Sequence, residues 1–327
     1  HSVGGGENLE SSSMPTRSVA LLSASLRGIQ RRHGAAYLSA ELHLATQVAT
    51  EGDSEGTLGL IRGVTPSAAL VRHQVQLIEG RWPSFGEVMV GRLAATKLGR
   101  PAELLAVGRT LTIEGRPWRV SGVFSSVGSA LECEIWGPLD EFQQAMKRQD
   151  ISLVAITLAP GADFSAIDEF CKERLDLELQ ATPESHYYEA LHAHYRPVRM
   201  LAWTVMGLVA VAGVFAGLNT MYGNVTGRVR ELAMLQTIGF TRGAIVAGLL
   251  QEGALLAAAA ALAASALALG LIDGAAVRFT MGAFTLRVDP PGLLIGCGVA
   301  LGIGVLGALP PALRAMRLPI AESLKAL

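Results

Sequence analysis

Three long apolar segments in the C-terminal part constrain this chain more than any other feature. They cover about residues 200–222, 243–272 and 291–313, and within them the only charged residue is Glu252. A helix needs about 20 apolar residues to cross a bilayer, because each residue adds only ~1.5 Å to its length. The pattern therefore predicts three transmembrane helices.

Composition divides the chain into two parts. Charged residues make up 17% of the sequence, below the ~25% typical of soluble domains, and the deficit lies in the C-terminal part. The formal net charge of −1 gives no electrostatic argument for nucleic-acid binding. We predict a folded domain over 1–184, a helical stalk over 185–199 interrupted near Pro197, and a membrane domain over 200–327.

Short elements in irregular order characterise the first domain. Alternating apolar residues predict strands over 37–48 and 57–64, and the run TLTIEGRPWRVSGVF predicts a hairpin. Helical spacing predicts a helix over 15–32, and further helices are expected in PLDEFQQAMKRQ and DFSAIDEFCKERL. A strand is expected in LELQATP. This mixture predicts an α+β domain rather than a doubly wound sheet.

Lysine and arginine near the span ends predict the orientation, because cytoplasmic loops carry an excess of them. Two regions are basic: the first link, with Arg228, Arg230 and Arg242, and the C-terminal tail, with Arg314, Arg317 and Lys325. The second link balances its two arginines, Arg278 and Arg287, against Asp273 and Asp289. We therefore expect the first link and the C-terminus in the cytoplasm, and residues 1–198 outside.

Export of the first domain requires a signal ahead of it. Residues 1–30 contain no apolar stretch of the signal-peptide type, and the chain begins with His1. We therefore expect a further transmembrane helix upstream of the given sequence.

Small residues and one acid stand out within the spans. Gly292 with Gly296, and Gly298 with Gly302, have the GxxxG spacing that permits close helix packing. Glu252 is a functional candidate because acids are costly inside a membrane. The alternative is that Glu252, a few turns from Arg242, extends its carboxylate to the cytoplasmic surface.

Motifs for catalysis or metal binding are absent from the sequence: it has no Walker A loop, no GxSxG and no HExxH. His192 and His194 would face different sides of a helix, and His186 adds only one distant partner, so no metal site is predicted. Glu132 and Glu134 could form an acid–base pair, but we favour a solvated strand or a hydrogen-bonded loop.

The cysteines do not form a recognisable framework. Cys133, Cys171 and Cys297 are scattered, and their number is odd. Cys297 lies in an apolar span and is expected to be a packing residue. Whether Cys133 and Cys171 pair stays open.

The first link and the second span resemble a known family. RELAMLQTIGFTRGAIVAGLLQEGALLA resembles the FtsX-like permease domain of MacB-type ABC transporters, with matches at Arg230, Glu231, Leu232, Leu235, Ile238, Gly239, Phe240, Arg242, Glu252 and Gly253. The C-terminal ALPPALRAMRLPIAESLKAL resembles the family's closing motif, with matches at Pro311, Ala312, Arg314, Ala315, Pro319, Ile320, Ser323 and Leu324. GEVMVGRLAATKLG and VGRTLTIEGRPWRVSGVF resemble its periplasmic core domain. The departures are the missing first helix and Gln236, where the family has arginine.

The resemblance implies a permease subunit that is not itself an enzyme and needs no cofactor, because a cytoplasmic ATPase partner binds the ATP. It further implies two permease copies, identical or related, in a bacterial inner membrane, and it is compatible with a periplasmic adaptor. Arg228 to Phe240 would be the helix that couples to the ATPase, and Leu232, Leu235 and Ile238 would share a stripe facing the partner or the membrane.

The implied function is mechanotransmission for efflux or extraction of a substrate that the sequence does not specify. One alternative is an FtsX-like regulator of cell-wall hydrolases that transports nothing. Another is a membrane protein without an ATPase.

Overall fold

The computed structural model describes residues 1–6, 8–53, 56–126, 129–187, 189, 196–278 and 283–315. The chain forms two compact units. The outer unit comprises His1–Ala193 together with Ala276–Thr285, and the membrane unit comprises His194–Ala275 and Leu286–Leu327. Ala276–Thr285 lies within the predicted membrane domain, but this segment packs with the outer unit.

An eight-stranded mixed sheet forms the framework of the outer unit. Its strands are β4 (Leu38–Thr50), β5 (Thr57–Val64), β6 (Gln76–Gly80), β7 (Glu87–Gly91), β8 (Thr110–Ile113), β9 (Arg116–Ser125), β10 (Glu134–Pro138) and β12 (Leu153–Ile156). The spatial order is β12-β4-β5-β10-β7-β9-β6, and β8 pairs with both β4 and β9. The β5–β10 and β7–β9 pairs are parallel and the others are antiparallel.

Shorter elements surround this sheet. Two-residue strands pair β1 (Met14–Pro15) with β11 (Asp150–Ile151), and β2 (Arg31–Arg32) with β3 (Ala35–Ala36). The helices are α1 (Arg17–Ser25), α2 (Ala68–Val71), α3 (Ala94–Leu98), α4 (Leu139–Ala145) and α5 (Ser165–Glu173). The domain is therefore α+β, and the expected hairpin is β8–β9.

Two elements differ from the prediction. The helix expected over 15–32 ends at Ser25, because Leu26 is already extended and Ile29 forms a bridge with Leu158. The chain then turns at His33 and Gly34, both with positive φ, and joins β2 to β3. The strand expected in LELQATP is reduced to a single bridge between Ser2 and Leu179.

Apolar side chains from the sheet and the helices fill the core. Leu42, Ile61, Val88 and Phe142 are fully buried, and the Trp118 ring packs edge-on against Phe142 with 4.8 Å between centroids. The strands keep this core because their alternate residues point to one face.

Three helices of the membrane unit are long and apolar enough to span a bilayer. They are α6 (Arg196–Gly227), α8 (Arg242–Leu271) and α9 (Pro290–Ala315), and the shorter α7 (Val229–Ile238) connects the first two. Pro197 lies in the first turn of α6, where its missing N–H is tolerated. Of the expected stalk, residues 185–187 and 189 are described and helical. Residues 188 and 190–195, with His192 and His194, lie outside the described residues, as do Arg317, Pro319, Ile320, Ser323, Leu324 and Lys325 in the tail.

Candidate functional site

The link between the first two spans folds into a short helix with defined ends. Helix α7 ends at Gly239, whose φ of 109° suits a residue without a side chain. Thr241 then begins α8, since its side chain accepts a hydrogen bond from the Ala244 N–H at 3.3 Å. The segment TIGFTR is therefore a tight corner between two helices.

The inner face of α7 packs against all three spans. Leu232 is buried in a cluster with Val225 of α6, Ile245 and Leu249 of α8, and Ala312 of α9. Because this cluster includes residues of all three spanning helices, a displacement of α7 disturbs the packing among them.

The outer face of α7 is apolar and basic. Ile238 is 76% exposed, and Met234, Leu235 and Phe240 are also exposed, as is Arg230. The expectation that Leu232, Leu235 and Ile238 share one stripe is wrong. Residues three and six positions apart are rotated by about −60° and −120° around a helix, so Leu232 points inward while Ile238 points outward.

An ion-pair cluster fixes the start of α7. Arg228 donates from Nε to Glu231 Oε2 at 3.1 Å and from Nη1 to Glu252 Oε2 at 3.3 Å. Glu252 lies ten residues into α8, and its carboxylate is paired with the arginine that follows α6. This cluster ties the α6–α7 junction to the side of α8, as membrane acids usually require a partner.

The glycines that hold the spans together are not those expected. Gly292, Gly296, Gly298 and Gly302 have no atom within 4 Å of where a Cβ would stand. A Cβ on Gly304 would instead lie 2.5 Å from Ala257 Cβ, one on Gly253 would lie 2.9 Å from Ala308 Cβ, and one on Gly307 would lie 3.3 Å from the Gly217 carbonyl carbon. Gly253 with Ala257, and Gly304 with Ala308, have the same small-residue spacing. This spacing is the sequence pattern that corresponds to the observed contact between α8 and α9.

Helices α6 and α9 also meet near the C-terminal end of each through a charged contact. The Arg314 guanidinium lies 6.0 Å from the centre of the Tyr222 ring, a cation–π distance.

A buried charge network in the outer unit was missed by the sequence analysis. Arg62 of β5 donates two hydrogen bonds to Glu134 of β10 and one to Glu41 of β4, each at 2.7 Å. Arg72, which follows α2, donates to both oxygens of Glu41, at 3.1 and 2.8 Å. Of the two alternatives favoured for this segment, a solvated strand does not apply to Glu134, because this carboxylate is buried and also accepts a bond from Trp136 Nε1 at 2.7 Å.

Glu132, the other member of the expected carboxylate pair, is buried as well. It accepts hydrogen bonds from the Ser125 hydroxyl and from the Ser126 N–H, the latter at 3.0 Å. The two glutamates therefore bind separate partners and do not form an acid–base pair.

Burial and charge act in opposite directions on this network. Burial alone would raise the pKa of Glu41, but Arg72 and Arg62 outweigh it and lower that pKa to about 2. His43 lies with its Nδ1 3.7 Å from Glu134 Oε1, yet burial and the charge of Arg62 lower its pKa to about 4. At neutral pH the network thus comprises two arginines, two carboxylates and a neutral histidine.

A hairpin from the chain between α8 and α9 belongs to the outer unit. Its strands are β13 (Ala276–Arg278) and β14 (Ala283–Thr285). The Cys133 thiol bonds with both the N–H and the carbonyl oxygen of Ala283, each at 3.0 Å. Ala283 and Cys133 are both buried, so the hairpin is docked and the chain passes between the two units three times.

The three cysteine thiols form no disulfide bond. Cys133, Cys171 and Cys297 are all free, so Cys133 and Cys171 do not form a disulfide. Cys171 is buried in the main core of the outer unit, apart from the Cys133 cluster.

Two family models match the chain in succession. The MacB-like periplasmic core domain matches residues 5–169, and the FtsX-like permease C-terminal domain matches residues 203–320. A membrane protein with these two parts is an ABC transporter permease. The chain belongs to the family of MacB/FtsX-type permeases.

Relatives agree with this assignment. The chain is 23% identical over 229 residues to the uncharacterized ABC transporter permease YknZ of Bacillus subtilis (strain 168), which covers 67% of this chain and 57% of the relative. It thus spans little more than half of that relative's length.

Solved structures that are similar to the chain include two outer domains. One is the periplasmic region of MacB from Actinobacillus actinomycetemcomitans, at 14% identity and a TM-score of 0.39, covering 50% of this chain and 74% of that one. The other is the extracellular domain of YknZ from Gram-positive bacteria, at 17% identity and a TM-score of 0.39, covering 50% and 83%.

Proposed function

We propose that this permease passes the motion of a cytoplasmic ATPase to the outer unit, which then drives efflux or extraction of a substrate already outside the cytoplasm. The observation that carries the proposal is the position of α7, whose inner face shares a buried apolar cluster with all three spans and whose outer face is exposed, apolar and basic. ATP binds to the partner, and the permease needs no cofactor of its own.

Contact with the ATPase is assigned to the outer face of α7. Exposed Ile238 and Phe240 would fill apolar pockets of the partner, while Arg230 and Arg242 supply charge at the rim. Such an arrangement, with apolar anchors and surrounding charges, is typical of protein interfaces.

Transmission from α7 starts at its two attachments. The Leu232 cluster and the Arg228–Glu252 pair connect α7 to α6, α8 and α9. Motion of these helices reaches the outer unit through covalent links at residues 193–194, 275–276 and 285–286. The docked hairpin would transmit motion through two of these links, because its residue Ala283 is hydrogen-bonded to the Cys133 thiol of the outer unit.

The assembly that fits this mechanism has two permease copies in the bacterial plasma membrane, with the C-terminus and α7 in the cytoplasm and the outer unit on the other side. The basic first link supports that orientation. The apolar, closely packed spans favour transmission of motion over passage through a polar channel.

The test is co-purification of the full chain with its cognate ATPase after Ile238→Asp. If Ile238 is buried in the contact, losing it removes about 1.5–3 kcal/mol, which weakens binding by about 10- to 100-fold. Ile78→Asp is the matched control, since Ile78 is 57% exposed on the outer unit. Undiminished binding of the Ile238 variant would contradict the assignment of α7.

A further inference from the structure

A cavity lies at one edge of the outer unit. Its volume is about 600 Å³, within the range of about 300–1,000 Å³ usual for small-ligand sites. Strand β12, α1, α5 and the segment near residue 180 enclose it. The lining is mainly apolar and includes Leu22, Val154, Ile156, Phe164, Ile167 and Leu179.

One wall of this cavity carries a fixed positive charge. The Arg72 side chain is 9% exposed, and Glu41 accepts hydrogen bonds from its Nε and Nη2. Its Nη1 donates instead to Glu184 Oε1 at 2.9 Å, and Gln74 Nε2 lies 3.4 Å from the same oxygen. Arg72, Gln74 and Glu184 all line the cavity.

The two partners of Arg72 differ in how firmly they are held. Glu41 is fully buried and shared with Arg62, whereas the Glu184 side chain is 53% exposed. Without Glu184, the two buried arginines still balance Glu41 and Glu134, so the network tolerates its departure. Arg72 Nη1 would then face the cavity without an acceptor, which is costly for a buried donor.

We propose that the cavity binds an amphipathic anion, with its carboxylate or phosphate on Arg72 and Gln74 and its apolar chain along β12 and α5. Glu184 is the internal carboxylate that occupies the head-group site until the ligand displaces it. An anion is required because the replaced group is a carboxylate, and one apolar chain is required because the lining along β12 and α5 is mainly apolar.

This binding needs no ATPase, so it can be tested separately from the coupling proposal. The full chain in phosphatidylcholine nanodiscs is exposed to a photoreactive palmitic acid carrying a diazirine, to the alkyl phosphate of the same chain, and to the corresponding alcohol. Cross-linked peptides are then mapped by mass spectrometry. The carboxylate and phosphate arms distinguish a fatty acid from a phospholipid head group.

The expected result is labelling of peptides that contain Val154, Ile156 or Ile167 by at least one anionic probe and little labelling by the alcohol. Glu184→Ala should increase that labelling about fivefold, the effect of removing one competing half-exposed ion pair. Ile156→Trp should reduce it by narrowing the cavity beside β12, and Ile78→Trp on the exposed strand β6 should leave it unchanged.

Tryptophan fluorescence checks the fold of each variant, and Ile167→Trp replaces Ile156→Trp if the latter does not fold. The proposal is overturned if cross-links are confined to the membrane helices, if the alcohol labels the cavity as well as the anions do, or if Glu184→Ala has no effect.

Discussion

Replacing Glu41 with glutamine tests the buried charge network of the outer unit. Glu41 accepts hydrogen bonds from both Arg62 and Arg72, and these arginines lower its pKa from 4.5 to about 2. A shift of that size corresponds to about 3 kcal/mol of stability at neutral pH. Breaking a buried ion pair by removing one partner costs a similar ~3–5 kcal/mol. We expect Glu41→Gln to destabilise the outer unit by about 3 kcal/mol.

The assay is urea unfolding of the full chain in nanodiscs, followed by tryptophan fluorescence. Trp136 is one of four tryptophans and donates a hydrogen bond to Glu134, so part of the emission reports on the network. Glu79→Gln is the matched control, because Glu79 lies on the exposed strand β6, and exposed substitutions usually change stability by less than ~0.5 kcal/mol. A loss below about 1 kcal/mol for Glu41→Gln would refute the account of the network.

Three further changes have defined outcomes. Burial and Arg62 lower the pKa of His43 from 6.5 to about 4. As pH falls from 6.5 to 4, the unfolded histidine takes up a proton and the folded state is destabilised by about 3 kcal/mol. His43→Gln should flatten the dependence of urea stability on pH across that window, and an unchanged slope would exclude His43 as the cause. Gly304→Leu should lower the thermal midpoint of the detergent-solubilised chain by forcing α8 and α9 apart, whereas Gly296→Leu should leave it unchanged; equal effects would contradict the observed packing. Ala283→Arg should free the buried Cys133 thiol for maleimide labelling, measured by intact mass, and continued protection would show that the hairpin does not depend on that contact.

Much of the fold could be predicted from local patterns in the sequence. The spans, the β8–β9 hairpin and strand β5 follow from periodicities within about 20 residues, which a single sequence displays directly. The end of α1 was missed because the helical spacing continues to Ile29, whereas Leu26 is already extended and Ile29 forms a bridge with Leu158.

The candidate sites depended on contacts that sequence does not display. Arg62 binds Glu134, which is 72 residues away in the sequence, and Glu41, which is 21 residues away. The only indication of this network in the sequence is that charged residues occur in otherwise apolar strands. Glycine spacing showed that a helix face is small but not which neighbour covers it, so Gly304 and Gly253 were overlooked in favour of Gly296. The same limit applied to α7, where Leu232 and Ile238 proved to face opposite ways.

The central claim is that α7 links the ATPase to the outer unit, and spin-label distances test it most directly. Phe85 is largely exposed on the outer unit, so Phe85→Cys in a Cys297→Ala background places an accessible label there while Cys133 and Cys171 stay buried. Double electron–electron resonance on the permease–ATPase complex in nanodiscs then compares the nucleotide-free and ATP–vanadate states. The account predicts that the distance between labels on two permease copies changes with nucleotide, and that Phe240→Asp abolishes the change. Identical distance distributions in the two states, with the ATPase bound and active, would contradict it.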